Sequence, residues 1–258
     1  MSAAAPLLVV ENAVKSFGKM NAVDGASLSV PRGSITGLIG PNGAGKTTLF
    51  NAIAGEGALT SGRVMFDGND ISACAPHEVF ARGLARTFQI PRPFPAMTVI
   101  ENVMLAATDQ AGERFWNNWI RPGLVARQEH AIFERARALV EFCNLGVVEQ
   151  NMAGAISGGQ KKLLELARVL MSEPKLILLD EPAAGVNPAL LDILVDKISE
   201  LHKGGMTFLI IEHNMDMVMS LCDPIIVLAQ GKVIAAGRPS DVAGNPLVVD
   251  AYLGEVAA

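Results

Sequence analysis

The chain has 258 residues, half of them hydrophobic, and a net charge of −5. That length suits one large α/β domain, or a domain carrying a subdomain, with material for a sizeable core. The acidic balance argues against a broad nucleic-acid surface, and no apolar run approaches the roughly 18 residues that span a bilayer.

From the N-terminus, Met1 to Pro6 lacks the charged-then-apolar layout of a signal peptide. Leu7–Val10 and Ala26–Val30 read as strands separated by a turn-rich stretch. Ser34–Ile39 is a strand running straight into a glycine loop, Thr47–Ala54 continues as a helix, and Gly55 is placed to stop it. Arg63–Phe66 is a strand ending at the hairpin signal Asp67-Gly68. Pro76–Arg82 is a short helix with proline at its start and Gly83 past its end, and Ala85–Gln89 is a brief strand.

The character then changes. Ile90–Thr98 contains Pro91, Pro93 and Pro95 and reads as a loop. Thr98-Val99-Ile100-Glu101 is a capping box that opens a helix. Trp116 and Trp119 follow, with Phe115 and Ile120, at spacings that gather them on one helical face. They suit either a cluster over the insertion's own core or an exposed contact patch. Ala126–Cys143 has helical spacing through Ile132, Leu139, Val140 and Cys143. Ser157 opens another helix, with Leu163, Leu166, Ala167 and Leu170 on one face. Residues of about 90 to 171 therefore form a helical insertion between two strand-helix regions.

After the insertion, Leu176–Leu179 is wholly apolar, as a strand covered on both faces should be. Pro188–His202 is a helix capped by Asn187 and closed by Gly204-Gly205, and Thr207–Ile211 is a second buried strand. Ile225–Leu228 and Lys232–Ala235 flank a Gln230-Gly231 turn, and Asn245–Leu253 is a final helix. Cys74, Cys143 and Cys222 are scattered, without metal-ligand spacing, and read as reduced residues. The mean hydropathy of +0.33 is high for a soluble enzyme; a buried partner surface or an alanine-rich composition would each explain it.

Three stretches carry chemistry. Gly40-Pro41-Asn42-Gly43-Ala44-Gly45-Lys46-Thr47 fits GxxxxGK[ST] at every required position, with Thr48 following. Small residues there let backbone N–H groups approach phosphate oxygens, and the next helix aims its positive end at them. Lys46 suits the β- and γ-phosphates, and the Thr47 hydroxyl suits Mg²⁺. Asp180 and Glu181 end a buried strand; Asp180 suits the Mg²⁺ shell and Glu181 the general base that polarises water. Ser157-Gly158-Gly159-Gln160 is a capping box with two glycines inside it. Those glycines cost helix stability yet bare N–H groups at a dipole end.

Read in this order, and with Lys161-Lys162-Leu163-Leu164-Glu165-Leu166-Ala167-Arg168 continuing the third stretch, the chain resembles the ATPase subunit of ABC transporters over essentially its whole length. It is closer still to the longer ATPase of the branched-chain amino acid transporters, through Ala85-Arg86-Thr87-Phe88-Gln89, Met97–Val103, Glu181–Pro188 with Asn187, Ile211–Met215 and Ala251–Glu255. One departure is Gly158, where that group commonly has tyrosine. The resemblance implies a P-loop, RecA-like α/β core with an antiparallel β subdomain and a helical signature subdomain, all one ATP-binding domain over residues 1–258.

It also implies roles. Gln89 would reach Mg²⁺ and the attacking water, His213 would contact the γ-phosphate, and Phe17 would stack on adenine, where the family more often has tyrosine. Ser157, Gly158, Gly159 and Gln160 of one subunit would close over the Gly40–Thr47 loop of a second copy or a paralogue. The Ile90–Thr98 loop would flank the groove where a permease's coupling helix docks. Membrane permease subunits and, indirectly, a periplasmic solute-binding protein would complete an importer, with this chain peripheral on the cytoplasmic face of the plasma membrane. Leucine, isoleucine and valine are the expected solutes; urea, amides and organic acids remain open.

Two other classes fit less well. Soluble ABC ATPases of DNA repair or translation usually carry paired cassettes, a coiled coil or basic extensions, and none is visible here. A GTPase should carry the base-reading NKxD, which is absent, and a small-molecule kinase gives no reason for the signature helix.

Overall fold

The computed structural model describes residues 5–87, 92–108, 110, 112 and 115–253. Gln89, and the Gly254-Glu255 end of the tail, lie outside them. The chain forms two compact units, Met1–Arg86 with Lys175–Ala184 and Ile198–Ala258, and Thr87–Pro174 with Gly185–Lys197.

The first unit holds two sheets. An antiparallel sheet runs in the order β2 (Met20–Val30), β1 (Leu8–Phe17), β4 (Ser61–Phe66), β5 (Asn69–Asp70). The sequence predicts two short strands here, but β1 and β2 form one long hairpin closed by Phe17 opposite Met20. The alternation is hidden because the register shifts between Val10 and Ala13, and Asn12 has φ 47°. Such a bulge swaps the inward face midway along a strand. At Gly62 (φ 94°) an added Cβ would lie 2.4 Å from the Asn12 carbonyl oxygen, so glycine is required beside the bulge. The Asp67-Gly68 hairpin forms as predicted, with Phe66 opposite Asn69.

The second sheet runs β10 (Lys232–Gly237), β9 (Ile225–Ala229), β3 (Ile35–Ile39), β8 (Thr207–Ile211), β7 (Leu176–Asp180), β6 (Leu84–Arg86). All its neighbours are parallel except β9 and β10. Every residue of β3, β7, β8 and β9 is buried, which explains their mostly apolar sequences. β6 stops at Arg86, short of the predicted Gln89.

Helix α1 (Lys46–Ile53) buries Leu49, Phe50 and Ile53 in one core with Leu8, Val10, Val64 and Phe66 of the antiparallel sheet and Leu38, Leu178, Leu209 and Leu228 of the parallel one. Burying Phe50 alone is worth about 1.5–3 kcal/mol. Gly55 (φ 78°) ends the helix by donating to Ala52 O, as its sequence position suggests. Helix α2 (Pro76–Ala81) matches expectation, with Glu78 closing on the Ala75 N–H.

The second unit is helical: α3 (Val99–Met104), α4 (Phe115–Ile120), α5 (Pro122–Phe142), α6 (Gly158–Met171) and the start of α7 (Pro188–Lys203). The predicted capping box is present at α3, where Thr98 N donates to Glu101 Oε2 at 2.7 Å. Asn102 is fully buried; its amide accepts from Phe94 N and donates to the carbonyls of Phe94 and Thr98, which ties these two residues to the helix. Leu163, Leu166, Ala167 and Leu170 of α6 are buried as predicted, but so are Leu164, Lys162 and Glu165, so this helix is covered more completely than a one-faced pattern implies. Trp116 and Trp119 are exposed, which removes the reading as an internal core cluster.

Three short helices complete the first unit. α8 (Met215–Leu221) and α9 (Pro239–Ala243) were not predicted, being too short for a period to show, and α10 (Pro246–Leu253) was. Cys143 and Cys222 are buried free thiols whose burial pushes their pKa up to about 12, so both are inert at neutral pH. Among the described residues, no helix is long and apolar enough to cross a membrane.

Asp67, at the β4–β5 turn, accepts from Lys175 Nζ at 2.6 Å and pairs also with Arg32. These cations, Lys175 first, hold its carboxyl down to about 2. A depressed folded-state pKa gives stability that is present above the unfolded value near 3.9 and lost as pH falls toward about 2. Asp67→Asn should therefore flatten the fall of the urea midpoint between about pH 4 and pH 2 and leave the shape of the profile above pH 5 unchanged. An unaltered acid limb would show that the pair is not coupled to folding.

Candidate nucleotide-binding site

β3 lies between β8 and β9, and the glycine loop leaves its carboxyl end. Ligands of open parallel sheets gather at such ends. Two glycines of this loop are demanded by close approach. An added Cβ would lie 1.9 Å from Leu228 O at Gly40 (φ 149°) and 2.1 Å from Ala22 O at Gly45 (φ 98°). Helix α1 follows with no side-chain cap and no acidic residue in its first turn. Its leading N–H groups and positive dipole end are thus left for an anion. Lys46 is 6% exposed, and its ammonium donates to Gly40 O at 2.7 Å and Pro41 O at 2.9 Å.

Above this loop lies a cleft of about 570 Å³. Its walls include Asn42 to Thr48, Phe17, Glu181 and His213, all sequence-predicted. Gly40 and Pro41 stand behind them as partners of Lys46. Met20, Asn21, Ala22, Gln230 and Gly231 also line it and were missed, because only the β1–β2 pairing and the β9–β10 turn bring them there. Phe17 is 57% exposed at its hairpin end, with Lys15 Nζ 5.5 Å from the ring centre, so it is not part of the core.

The acidic end of β7 is held in an unusual backbone. Glu181 has φ 48°, a left-handed conformation that costs a non-glycine residue on the order of 1 kcal/mol or more. Its N–H donates to Ile211 O at 2.9 Å, and His213 Nε2 lies 3.2 Å from its Oε1. The turn after β8 is organised by Glu212, 3% exposed, whose carboxylate accepts from the N–H groups of Ala183, His213 and Asn214 at 2.7, 2.7 and 2.9 Å. Asp180, 6% exposed, accepts from Arg86 at 2.8 Å. Arg86 in turn donates to Asn51 at 2.7 Å and Glu56 at 2.9 Å. Glu212 and Arg86 were overlooked as site residues. Their signal was an ionisable group at the end of an apolar strand, the same signal that picked out Asp180.

The oxygen donors here, Thr47 and Asp180 with Glu181, suit a hard cation. Among the described residues no cluster of three His, Cys, Asp or Glu side chains forms a cage. A cation would therefore take further oxygens from phosphates and water, as Mg²⁺ does. In the second unit, Ser157 caps α6: Gln160 N donates to its Oγ at 3.3 Å, and Ser157 N donates to Gln160 Oε1 at 2.9 Å. Gly159 is needed for packing, since a Cβ would lie 2.3 Å from Leu190 Cδ1, whereas nothing lies within 4 Å of one at Gly158. Gly158 thus has room for a Cβ, so a side chain can be attached there, as in the tyrosine common in the branched-chain group.

A phosphate loop at the switch point of a parallel sheet, with an acidic pair closing the strand beyond its neighbour, defines a P-loop nucleotide-binding ATPase. The ABC transporter family model matches residues 23–184, and that of the branched-chain amino acid ATP-binding cassette transporters matches residues 232–258. A relative in Archaeoglobus fulgidus, the probable branched-chain amino acid transport ATP-binding protein LivG, is 43% identical over 96% of this chain and 95% of its own. BraF of Pseudomonas aeruginosa, a high-affinity branched-chain amino acid transport ATP-binding protein, is 39% identical over 97% and 98%. The ADP conformation of an ATP-binding cassette of an ABC transporter superposes with a TM-score of 0.83 at 40% identity, covering 97% of this chain and all of that one. The chain belongs to the ABC transporter family of ATP-binding subunits, and it is an ATPase.

Two outcomes follow from the geometry. Phe17→Ala should weaken nucleotide binding several-fold, since one aromatic stack is worth on the order of 1 kcal/mol, and change folding stability by less than about 0.5 kcal/mol. Calorimetry on the variant checks the first and urea unfolding the second; unchanged affinity would make Phe17 a bystander. Arg86→Met should cost about 3 kcal/mol in urea unfolding, because it strands the buried Asp180 carboxylate. A loss below about 0.5 kcal/mol would class Arg86 with ordinary surface arginines.

Proposed function

We propose that this chain is the ATP-hydrolysing subunit of an importer for branched-chain amino acids, working as one nucleotide-binding domain with a helical subdomain. The observation that carries the hydrolytic part is the joint presence of Glu181 and His213 on the wall of the glycine-loop cleft. The solute assignment is supported by the match over residues 232–258 and by the transport proteins to which the chain is similar.

In this reading the Gly40–Thr48 backbone and Lys46 hold the phosphates, and Phe17 carries the adenine. Glu181 takes the proton of the attacking water, and His213 steadies that carboxylate and the γ-phosphate. Thr47 and Asp180, with Gln89, would hold Mg²⁺. That ion, when bound, offsets charge developing on the phosphoryl oxygens. The left-handed Glu181 backbone is the kind of local strain that persists where the surroundings over-determine it, here through Ile211 O.

The Ser157–Gln160 turn would serve the ATP of a second subunit, identical or paralogous. A hollow of about 300 Å³ within the helical unit, lined by Met97, Glu101, Met104, Leu105 and Ile132 among others, supports docking of a permease helix there. A periplasmic binding protein would deliver the solute, and this chain would sit on the cytoplasmic face of the membrane.

Glu181→Gln should keep ATP binding and lower turnover by about 10²–10⁴-fold, the usual loss for a positioned base. It should also accumulate an ATP-bound dimer on gel filtration. Wild-type phosphate release from this variant would exclude Glu181 as the base. Uptake of leucine, isoleucine and valine by vesicles holding the chain with its permease tests the solute; uptake of urea or an amide instead would reassign it.

A further inference from the structure

α4 places Trp116, Trp119 and Ile120 in water at 72, 78 and 72% exposure, and Leu124 at the start of α5 is 48% exposed. If each tryptophan presents about 150–250 Å² when free, these side chains leave on the order of 400 Å² of apolar surface uncovered. That is near the largest patch a typical soluble chain shows, in roughly the 300–600 Å² range where patches are often functional. The nearby α5 residue Val125 is buried, so this junction is anchored to the unit while its neighbours project outward.

Although the chain carries −5, Arg121 and Arg127 stand exposed in the segment that holds the patch, while Glu113 and Arg114, which precede it in sequence, offset each other. Tryptophan and arginine together suit an interface that is apolar on one side and anionic and wet on the other. A short helix with such residues inserts only shallowly, at the level of the headgroups. The nucleotide cleft and the α6 cap use none of these residues.

We propose that α4 and the first turn of α5 form a contact with the surface of an anionic lipid bilayer, made by the ATPase itself and independent of any permease. Trp116, Trp119 and Ile120 enter the headgroup region, and Arg121 and Arg127 pair with lipid phosphates. The inference goes beyond the transport reading, and it stands if the solute is a different one.

The sequence supplies its own reporter, because these are the only two tryptophans in the chain. Adding vesicles of phosphatidylglycerol and phosphatidylcholine to the full-length wild-type protein should blue-shift its emission. Brominated acyl chains should then quench it, and purely zwitterionic vesicles should do neither. Arg121→Gln with Arg127→Gln should weaken vesicle binding by roughly 25-fold, at about fivefold per arginine near an anionic surface. Trp116→Ala with Trp119→Ala should abolish sedimentation with vesicles while detergent-solution ATPase turnover is unchanged. Emission that does not move with anionic vesicles would overturn the proposal. So would a shift that appears only when permease is present, which would mean a protein contact, or one that grows with protein concentration without lipid, which would mean self-association. Loss of ATPase activity in the wild-type preparation bears on the transport reading and leaves this one standing.

Discussion

The register of β7 on β8 decides where the acidic groups at the mouth of the cleft stand. Asp180 pairs with Ile211, so Glu181 and Glu212 leave the two strands side by side. Both strands are buried along their whole length, and between Thr207 at the start of β8 and this point they offer no polar side chain to the interior. Backbone groups released at their carboxyl ends must find partners locally, because unpaired buried groups are costly. Glu212 meets that demand with three backbone N–H groups, and Ile211 O takes the N–H of Glu181. Slipping β7 by one residue would move Glu181 away from His213 and reverse the faces of the whole strand.

The phosphate loop depends on a second close fit. Gly40 lies against the Leu228 carbonyl and Gly45 against that of Ala22, so β9 and β2 grip the loop from two sides. The loop cannot relax without unpacking strands of both sheets. Such a cradle holds its N–H groups ready before a ligand arrives, which lessens the ordering that binding must cost. Arg86 extends the same rigidity, joining Asp180 to Asn51 and Glu56 at the far end of α1.

Much of the site was legible because its chemistry is local. The glycine loop, the Asp180-Glu181 pair and the Ser157 cap each lie within a few consecutive residues, and each follows from short-range rules of turns, caps and strand ends. Phe17 and His213 needed family resemblance, since a lone aromatic or histidine carries no pattern of its own. The structure brings Phe17, Glu181 and His213 to one cleft from distant points of the chain. Gln89 falls outside the described residues, so its role rests on resemblance alone.

The sequence by itself determined most of the longer elements and the phosphate loop, because period, capping and glycine placement act over a few residues. Tertiary structure alone decided the long bulged β1–β2 hairpin, the Arg86–Asp180 pair, the Glu212 carboxylate clasp and the exposure of Trp116 and Trp119. Each depends on parts far apart in the chain, or on how much of a face the packing covers. Periodicity shows that residues share a face, and only packing shows whether that face meets protein or water.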